Sequence, residues 1–167
     1  SGARVVAPGA PFPEDVAAAL VEEGATILVA VPPHYRALGA TRIEGHALRV
    51  ALSSAGPLDA ADAARFRDAT GVAITEIYGS TETGGIATRS QAAGRLGWRA
   101  LDGVALAVSE GRLWVRSAFV SAELRDPSGG YLTADRVAPG ATASAFELLG
   151  RLDGVVKVGG VRVELGD

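Results

Sequence analysis

Hydrophobic positions in the first half of the chain switch between helical and strand-like spacing. Apolar residues recur at helical spacing over 14–23 and stop at Gly24, and Asp59 can cap a further helix that ends at Gly71. Short apolar runs typical of buried strands lie between these segments, at residues 3–7, 26–31, 47–52 and 72–77. The alternation predicts an α/β layer whose strands are mostly parallel.

The pattern changes after about Gly94, where short strands alternate with glycine-containing turns. The predicted strands are 104–108, 112–116, 121–124 and 146–149, followed by 155–158 and 161–165. Such strands favour a small antiparallel, barrel-like β subdomain. Gly159 and Gly160 can adopt positive φ and suit the turn of a terminal β-hairpin. We therefore expect an α/β subdomain over 1–94, a β-rich subdomain over 95–150 and a hinge with a first hairpin of a further domain over 151–167.

Composition indicates a globular protein and argues against several classes of partner and ligand. Hydrophobic residues make up 48% of the 167 positions and the mean hydropathy is +0.23, so the chain can bury a core. The net charge is −3 and the 16 basic residues form no stripe, which argues against nucleic acid as a partner. The apolar runs are too short for a membrane span, and without cysteine the two separate histidines offer no zinc cluster.

A cytoplasmic protein fits these features best, and the sequence leaves its oligomeric state open. The chain has no methionine, even at position 1, and it ends directly after an apolar strand pattern. We therefore expect it to be a piece of a longer protein.

The stretch 76–85 carries the most chemistry. Tyr78 offers a flat face to a base, glycines such as Gly79 let a phosphate approach the backbone, and Glu82 can hold a divalent cation. The stretch follows a predicted strand, which is where α/β proteins place ligand-binding loops. Serine, threonine and glycine also crowd into ordinary polar turns, so that interpretation stays open.

Two further places are candidates for binding. The small residues Ser54, Ala55 and Gly56 follow another predicted strand and would let a planar group lie against the backbone, although a tight strand-to-helix turn explains them equally well. Because both loops leave the carboxyl ends of strands, we expect them to share one pocket. Asp135 could accept both hydroxyls of a ribose by charge-assisted hydrogen bonds, but an aspartate beside a loop is also a common surface feature.

Three motifs, in this order, resemble the adenylate-forming superfamily of acyl- and aryl-CoA synthetases, luciferases and peptide-synthetase adenylation domains. The family's Tyr-Gly-x-Thr-Glu motif is matched by residues 78–82, and its aromatic-x-Thr-Gly-Asp motif by residues 131–135, with Ala134 in place of the glycine. Its Gly-Arg-x-Asp hinge, followed by Lys and Gly-x-Arg, is matched at Gly150, Arg151, Asp153, Lys157, Gly160 and Arg162. The resemblance covers essentially the whole chain. As local chemistry alone, the last charged run is typical of a solvated face.

The resemblance implies a nucleotide site for ATP and AMP. Tyr78 and Gly79 would line it, with the tyrosine ring stacked on adenine. Thr81 would contact the α-phosphate and Glu82 would coordinate magnesium, so these two would be the catalytic residues.

The other matched residues complete the implied site. Asp135 would bind the ribose hydroxyls and Arg151 would contact ribose or phosphate. The loop of Ser54, Ala55 and Gly56 would flank the adenine and acyl pocket.

The implied activity is ATP-dependent adenylation of an aromatic or medium-chain carboxylic acid, followed by transfer to the thiol of coenzyme A or of a carrier-protein phosphopantetheine. Asp153 would be the hinge between these steps, and Gly159 and Gly160 would face the thiol channel. The family's glycine-rich Ser/Thr-Gly-Lys loop and its catalytic lysine would lie outside the 167 residues, so we expect the chain alone to be inactive. A non-catalytic nucleotide-binding or interaction module with the same fold is the alternative.

Overall fold

The computed structural model describes residues 2–6, 12–91 and 97–152, and the backbone of two strands at 155–158 and 161–164. The chain forms two compact units, Ser1–Thr75 and Glu76–Asp167. The three-part division at 94 and 150 stays a prediction.

The first unit alternates helices and strands. Its elements are α1 (Pro13–Glu22), β1 (Ile27–Ala30), α2 (Pro32–Leu38), β2 (Val50–Ser53) and α3 (Ala60–Thr70). Strands β1 and β2 pair in parallel, with Ile27 opposite Val50 and Ala30 opposite Ser53. The predicted α/β alternation is confirmed here, whereas residues 3–6 form no strand. The side chains of this run are not packed as those of a buried strand would be, since Val5 is 86% exposed.

Two fully buried rings organise the core of the first unit. Tyr35 on α2 and Phe66 on α3 pack edge to face with ring centroids 4.9 Å apart. The Tyr35 hydroxyl donates to the Leu52 carbonyl oxygen at 2.7 Å, which ties α2 to β2. The predicted ends of α3 are confirmed: Asp59 accepts from the Ala61 amide at 2.8 Å, and Gly71 follows the helix with φ of 72°.

The second unit is an antiparallel sheet. Its strands are β3 (Ile74–Ser80), which starts just before the unit, β4 (Gly84–Arg89), β5 (Trp98–Ala100), β6 (Ala105–Ser109), β7 (Arg112–Arg116), β8 (Tyr131–Pro139) and β9 (Ala145–Arg151). They lie in the order β3-β4-β5-β9-β8-β7-β6, and each neighbouring pair is antiparallel. The mixed α/β class is therefore confirmed, and closure of these strands into a barrel stays a prediction.

Alternating side chains build the core of this sheet. On β7, Leu113 and Val115 are fully buried, while Arg116 is exposed. They join a cluster whose buried members are Ile86, Ala87, Trp98, Leu113, Val115, Val120, Val137 and Phe146. The strand predicted over 121–124 is wrong: Ala122–Leu124 form a single 3-10 turn, in which Leu124 is 40% exposed.

A final antiparallel pair consists of β10 (Val155–Val158) and β11 (Val161–Glu164), with Val155 opposite Glu164. The predicted strands of the terminal hairpin are confirmed over 155–158 and 161–164, and Leu165, the last residue of the predicted second strand, lies outside the described residues. Asp153, Gly159 and Gly160 lie outside the described residues. None of the helices in the described part of the chain is long and apolar enough to cross a membrane.

Candidate functional site

The motif at 78–82 lies on a tight hairpin rather than on the ligand-binding loop predicted for it. Tyr78 and Gly79 belong to β3, and only residues 81–83 form the turn. Gly79 faces Gly85 across the hairpin, and a Cβ atom at Gly79 would collide with the Gly84 carbonyl oxygen. Glycine at this position therefore lets the two strands approach closely enough to pair.

Thr83 closes the turn of this hairpin. Its side chain is almost completely buried, and its Oγ1 accepts from the Ser80 amide at 3.2 Å and donates to the Gly84 carbonyl at 3.0 Å. The neighbouring Thr81 is exposed, and Glu82 is half-buried with its carbonyl oxygen 3.0 Å from the Ser121 amide. The sequence singled out Thr81 and Glu82 but not Thr83, because nothing local distinguishes a buried threonine from an exposed one.

Three of the predicted site residues meet in one hydrogen-bonded cluster. The Tyr78 hydroxyl donates to Oδ2 of Asp135, and Nη1 of Arg151 donates to Oδ1 of the same carboxylate at 3.1 Å. Asp135 and Arg151 are direct register partners on β8 and β9, whereas Tyr78 comes from β3. We call Tyr78, Asp135 and Arg151 the carboxylate cluster.

Electrostatics keep the Tyr78 hydroxyl protonated. Burial raises its pKa above the ordinary tyrosine value, and the negative charge of Asp135 raises it further. The phenol therefore acts as a donor to Asp135, which is only 9% exposed. Because Arg151 contacts the other carboxylate oxygen, the charge of Asp135 is compensated by a partner.

Aromatic neighbours hold the Tyr78 ring. Its centroid lies 5.2 Å from that of Trp98 and 5.5 Å from that of Phe146. The guanidinium of Arg89 lies 4.5 Å above the Trp98 ring and forms a bidentate pair with buried Glu76, at 2.7 and 2.9 Å. Sequence reasoning missed these supporting residues. Arg89 and Trp98 lie on strands that the sequence does not predict, and Phe146 reads as an ordinary member of a predicted strand.

Three strand pairs around the carboxylate cluster, β3–β4, β8–β9 and β7–β8, contain a β-bulge. The register passes from Tyr78–Ala87 to Gly79–Gly85 and so skips Ile86. It passes from Arg136–Gly150 to Val137–Leu148 and so skips Leu149.

The third bulge is the largest. The register passes from Arg112–Arg136 to Trp114–Leu132, so that Thr133, Ala134 and Asp135 lie opposite the single residue Leu113. Bulges re-aim side chains and are enriched beside active sites. Asp135 thus lies within the largest of the three bulges, between buried Thr133 and buried Val137.

The loop of Ser54, Ala55 and Gly56 belongs to the first unit. The Ser54 amide donates to the Ala30 carbonyl at 3.3 Å, and Ala55 has a φ of 68°. A left-handed backbone costs a non-glycine residue about 1–2 kcal/mol, and such strain is concentrated at functional sites. That this loop and the hairpin share one pocket stays a prediction.

Within the described residues, no group of three or more side chains of His, Cys, Asp or Glu is arranged to hold a metal ion. A magnesium ion bound with a nucleotide commonly takes only one or two carboxylates, and phosphate oxygens and water complete its shell. A single carboxylate at Glu82 is compatible with that donor set.

Comparisons with known proteins agree with the motifs. A family model described as "AMP-binding enzyme" matches residues 1–136. A search of curated proteins found no match. Among solved structures, the chain is similar to amide bond synthetase McbA from Marinactinospora thermotolerans, with 21% identity, a TM-score of 0.75, and coverage of 92% of this chain and 37% of that one.

Two further similar structures cover the same part of the fold. The anthranilate CoA ligase AuaEII in complex with anthranoyl-AMP has 22% identity and a TM-score of 0.72, over 95% of this chain and 36% of that one. ATP-bound MatB from Rhodopseudomonas palustris has 23% identity and a TM-score of 0.71, over 92% and 36%. The chain thus spans about a third of the length of these structures, and the likeness shows their fold. With the family model matched over 136 residues, the chain belongs to the family of AMP-binding enzymes.

Proposed function

We propose that this chain supplies a nucleotide-binding part of an AMP-forming carboxylic acid–thiol ligase. The observation that carries the proposal is the carboxylate cluster, in which three separate motifs of the sequence meet at one buried aspartate. Burying charged groups costs desolvation free energy, and such groups are concentrated at functional sites. A ligand site is the function that fits these residue types best.

Asp135 is the proposed contact for the ribose. Each of its oxygens accepts one hydrogen bond within the protein and keeps a further lone pair, so the carboxylate can also accept from two neighbouring ribose hydroxyls. The side chain of Arg151 is 32% exposed, so its guanidinium is accessible to a ribose or phosphate oxygen. Tyr78 and Gly79 are the proposed contacts for adenine.

Thr81 and Glu82 are the proposed contacts for the reacting phosphate. Thr81 is exposed at the tip of the hairpin, where its hydroxyl can donate to an α-phosphate oxygen. Magnesium bound with Glu82 would compensate charge on the phosphates. Donors fixed in place stabilise the charge that develops when a carboxylate attacks the α-phosphorus and pyrophosphate leaves.

The acid and its acceptor form the second half of the proposal. We propose an aromatic or medium-chain acid, which the fold shared with an anthranilate CoA ligase supports. The acceptor would be the thiol of coenzyme A or phosphopantetheine, with Asp153 as hinge and Gly159 and Gly160 facing the thiol channel. Ser54, Ala55 and Gly56 would contact the adenine and acyl groups.

The 167 residues alone are proposed not to catalyse adenylation efficiently. They contain no Ser/Thr-Gly-Lys phosphate loop, and their one lysine, Lys157, belongs to the hinge motif. Rapid ATP-dependent adenylate formation by the purified chain would contradict this part of the proposal.

Binding of AMP, followed by ligand-observed NMR, tests the nucleotide site. Asp135→Ala and Asp135→Asn should each weaken binding at least tenfold, since charged hydrogen bonds contribute about 1.5–3 kcal/mol. Asp102→Ala is the matched control, because Asp102 is an exposed aspartate in a turn of the same unit. Equal AMP affinity in all four proteins, or no AMP binding by the unsubstituted chain, would refute the site.

A further inference from the structure

The bulge on β8 leaves backbone groups that a regular ladder would have paired. Three residues, Thr133 to Asp135, lie opposite Leu113 alone, and pairing is locally disrupted at such a bulge. A buried carbonyl without a partner is destabilising, so other groups must satisfy these carbonyls.

Arg112 satisfies one carbonyl of the bulge and the carbonyl just before it with its side chain. Its Nε donates to the Thr133 carbonyl at 2.8 Å and its Nη2 to the Leu132 carbonyl at 3.3 Å. Arg112 lies at the start of β7 and pairs in register with Arg136, just beyond the bulge. Its planar guanidinium therefore bridges the bulged segment from the neighbouring strand.

The contact continues from Arg112 to the carboxylate cluster through one residue. The Thr133 carbonyl accepts from Arg112, and Oγ1 of the same threonine accepts from the Asp135 amide at 3.1 Å. Thr133 is only 6% exposed. Both polar ends of this buried residue are thus fixed, one by Arg112 and one by the backbone that carries Asp135.

We infer that Arg112 is a positioning residue for Asp135. It holds the bulge in the one form that aims the carboxylate at the ribose hydroxyls of the bound nucleotide. This inference rests on the proposed function, because it assigns the ribose contact to Asp135. No motif of the sequence singles out Arg112, which lies 23 positions before Asp135 in the chain.

Two substitutions separate the geometry of Arg112 from its charge. Arg112→Met keeps an aliphatic stem and removes all donors. Arg112→Lys keeps the charge but replaces a rigid two-pronged donor with a single ammonium, which cannot reproduce both bonds in the same geometry. Arg136→Met is the matched control, because Arg136 is exposed and its substitution removes the same charge beside the bulge.

The test compares binding of AMP and of 2′,3′-dideoxy-AMP, which lacks both ribose hydroxyls. The unsubstituted chain should prefer AMP. Arg112→Met should weaken AMP binding about tenfold and leave dideoxy-AMP binding unchanged, so that the preference is lost, since misaligning one charged contact has about that effect. Arg112→Lys should lose part of the preference, and Arg136→Met should retain it.

Amide hydrogen exchange supplies a readout that needs no nucleotide. In Arg112→Met the Asp135 amide should exchange at least tenfold faster, while the Val115 amide on β7 changes less, because opening is confined to the bulge. A faster Asp135 amide in Arg112→Lys gives the same information if the methionine variant unfolds.

The outcomes are distinguishable. If the unsubstituted chain binds both nucleotides equally, or binds neither, the proposed ribose contact fails and the role of Arg112 fails with it. If the preference for AMP is present and Arg112→Met retains it, only the inference about Arg112 is overturned. Equal weakening for both nucleotides would reduce Arg112 to a residue that supports the sheet in general, which also overturns it.

Discussion

The hydroxyl of Tyr78 donates to the carboxylate of Asp135 across a sequence separation of 57 residues. The bond joins the first strand of the antiparallel sheet to the bulged strand β8. Two motifs that are far apart in the sequence thus form one polar cluster, and Arg151 on β9 completes it.

A double-mutant cycle should detect this bond. Tyr78→Phe and Asp135→Asn should show a coupling free energy of about 1–2 kcal/mol in urea unfolding, because a charged hydrogen bond is lost only once. Tyr35→Phe combined with Asp135→Asn is the control and should be additive within about 0.5 kcal/mol, since the two residues share no partner. Additivity of the Tyr78 pair would contradict the bond.

Alkaline titration should leave Tyr35 and Tyr78 protonated in the folded protein. Burial is the main cause that raises both pKa values, and the Asp135 charge adds to it at Tyr78. The contribution of these two tyrosines to the free energy of unfolding is therefore fully present below the unfolded tyrosine pKa of about 10, and it is lost as the pH rises above that value. Tyrosinate absorbance should show these two of the 3 tyrosines ionising only as the chain unfolds. Ionisation of either one in the folded state near pH 10 would contradict this.

Acid titration should report Asp126. Its pKa is lowered to about 2, first by the Ser128 hydroxyl and then by the Trp114 indole, whose Nε1 donates to Oδ2 at 2.8 Å. The contribution to stability is present above the unfolded value of about 3.9 and is lost as the pH falls through the folded value. The Trp114 indole NMR signal should titrate with a midpoint near that lowered value.

Trp98 serves as an internal control in the same spectrum, because its buried Nε1 has no hydrogen-bond partner among the residues that the structure describes. Its indole signal should stay unchanged while the protein remains folded. A Trp114 midpoint at the ordinary aspartate value, or the same titration in Asp126→Asn, would contradict the assignment.

Ala55→Gly should stabilise the protein or leave it unchanged. The φ of 68° costs alanine about 1–2 kcal/mol, whereas glycine adopts it freely and loses about 0.5–1 kcal/mol of that gain to chain entropy. Ala64→Gly within α3 is the matched control and should cost about 1 kcal/mol. Thermal unfolding of both variants measures the difference, and equal destabilisation would argue against the left-handed backbone.

Thr83→Val should destabilise the hairpin by about 2 kcal/mol, because the Ser80 amide loses a buried acceptor. Thr81→Val, two positions earlier and exposed, should stay within about 0.5 kcal/mol of the original. Urea unfolding checks both values. Similar losses at the two threonines would mean that Thr83 does not close the turn.

Local chemistry made much of the fold predictable. The strand over 112–116 and the helix between Asp59 and Gly71 follow from side-chain alternation and from capping residues, and the structure contains both. The strand predicted over 121–124 is wrong, because three apolar or small side chains in so short a segment do not distinguish a strand from a 3-10 turn. The sequence predicts a loop at 78–85, because glycines are typical of loops, whereas the structure has a hairpin in which the glycines let two strands pair closely.

The candidate site was predictable as a set of residue types but not as an arrangement. Family-like motifs pointed to Tyr78, Asp135 and Arg151, and the structure brings these three together. Arg112 and Thr133 could not be identified, because a bulge depends on pairing between distant strands and has no local signature.

The three bulges imply that this protein tolerates exchanges of side chains better than changes in length. Strand side chains alternate between faces, so deleting Ile86 or Leu149 would restore regular pairing and turn every residue on one side of the deletion to the opposite face. A library of single-residue deletions across these strands would therefore locate the site even where a substitution scan is silent.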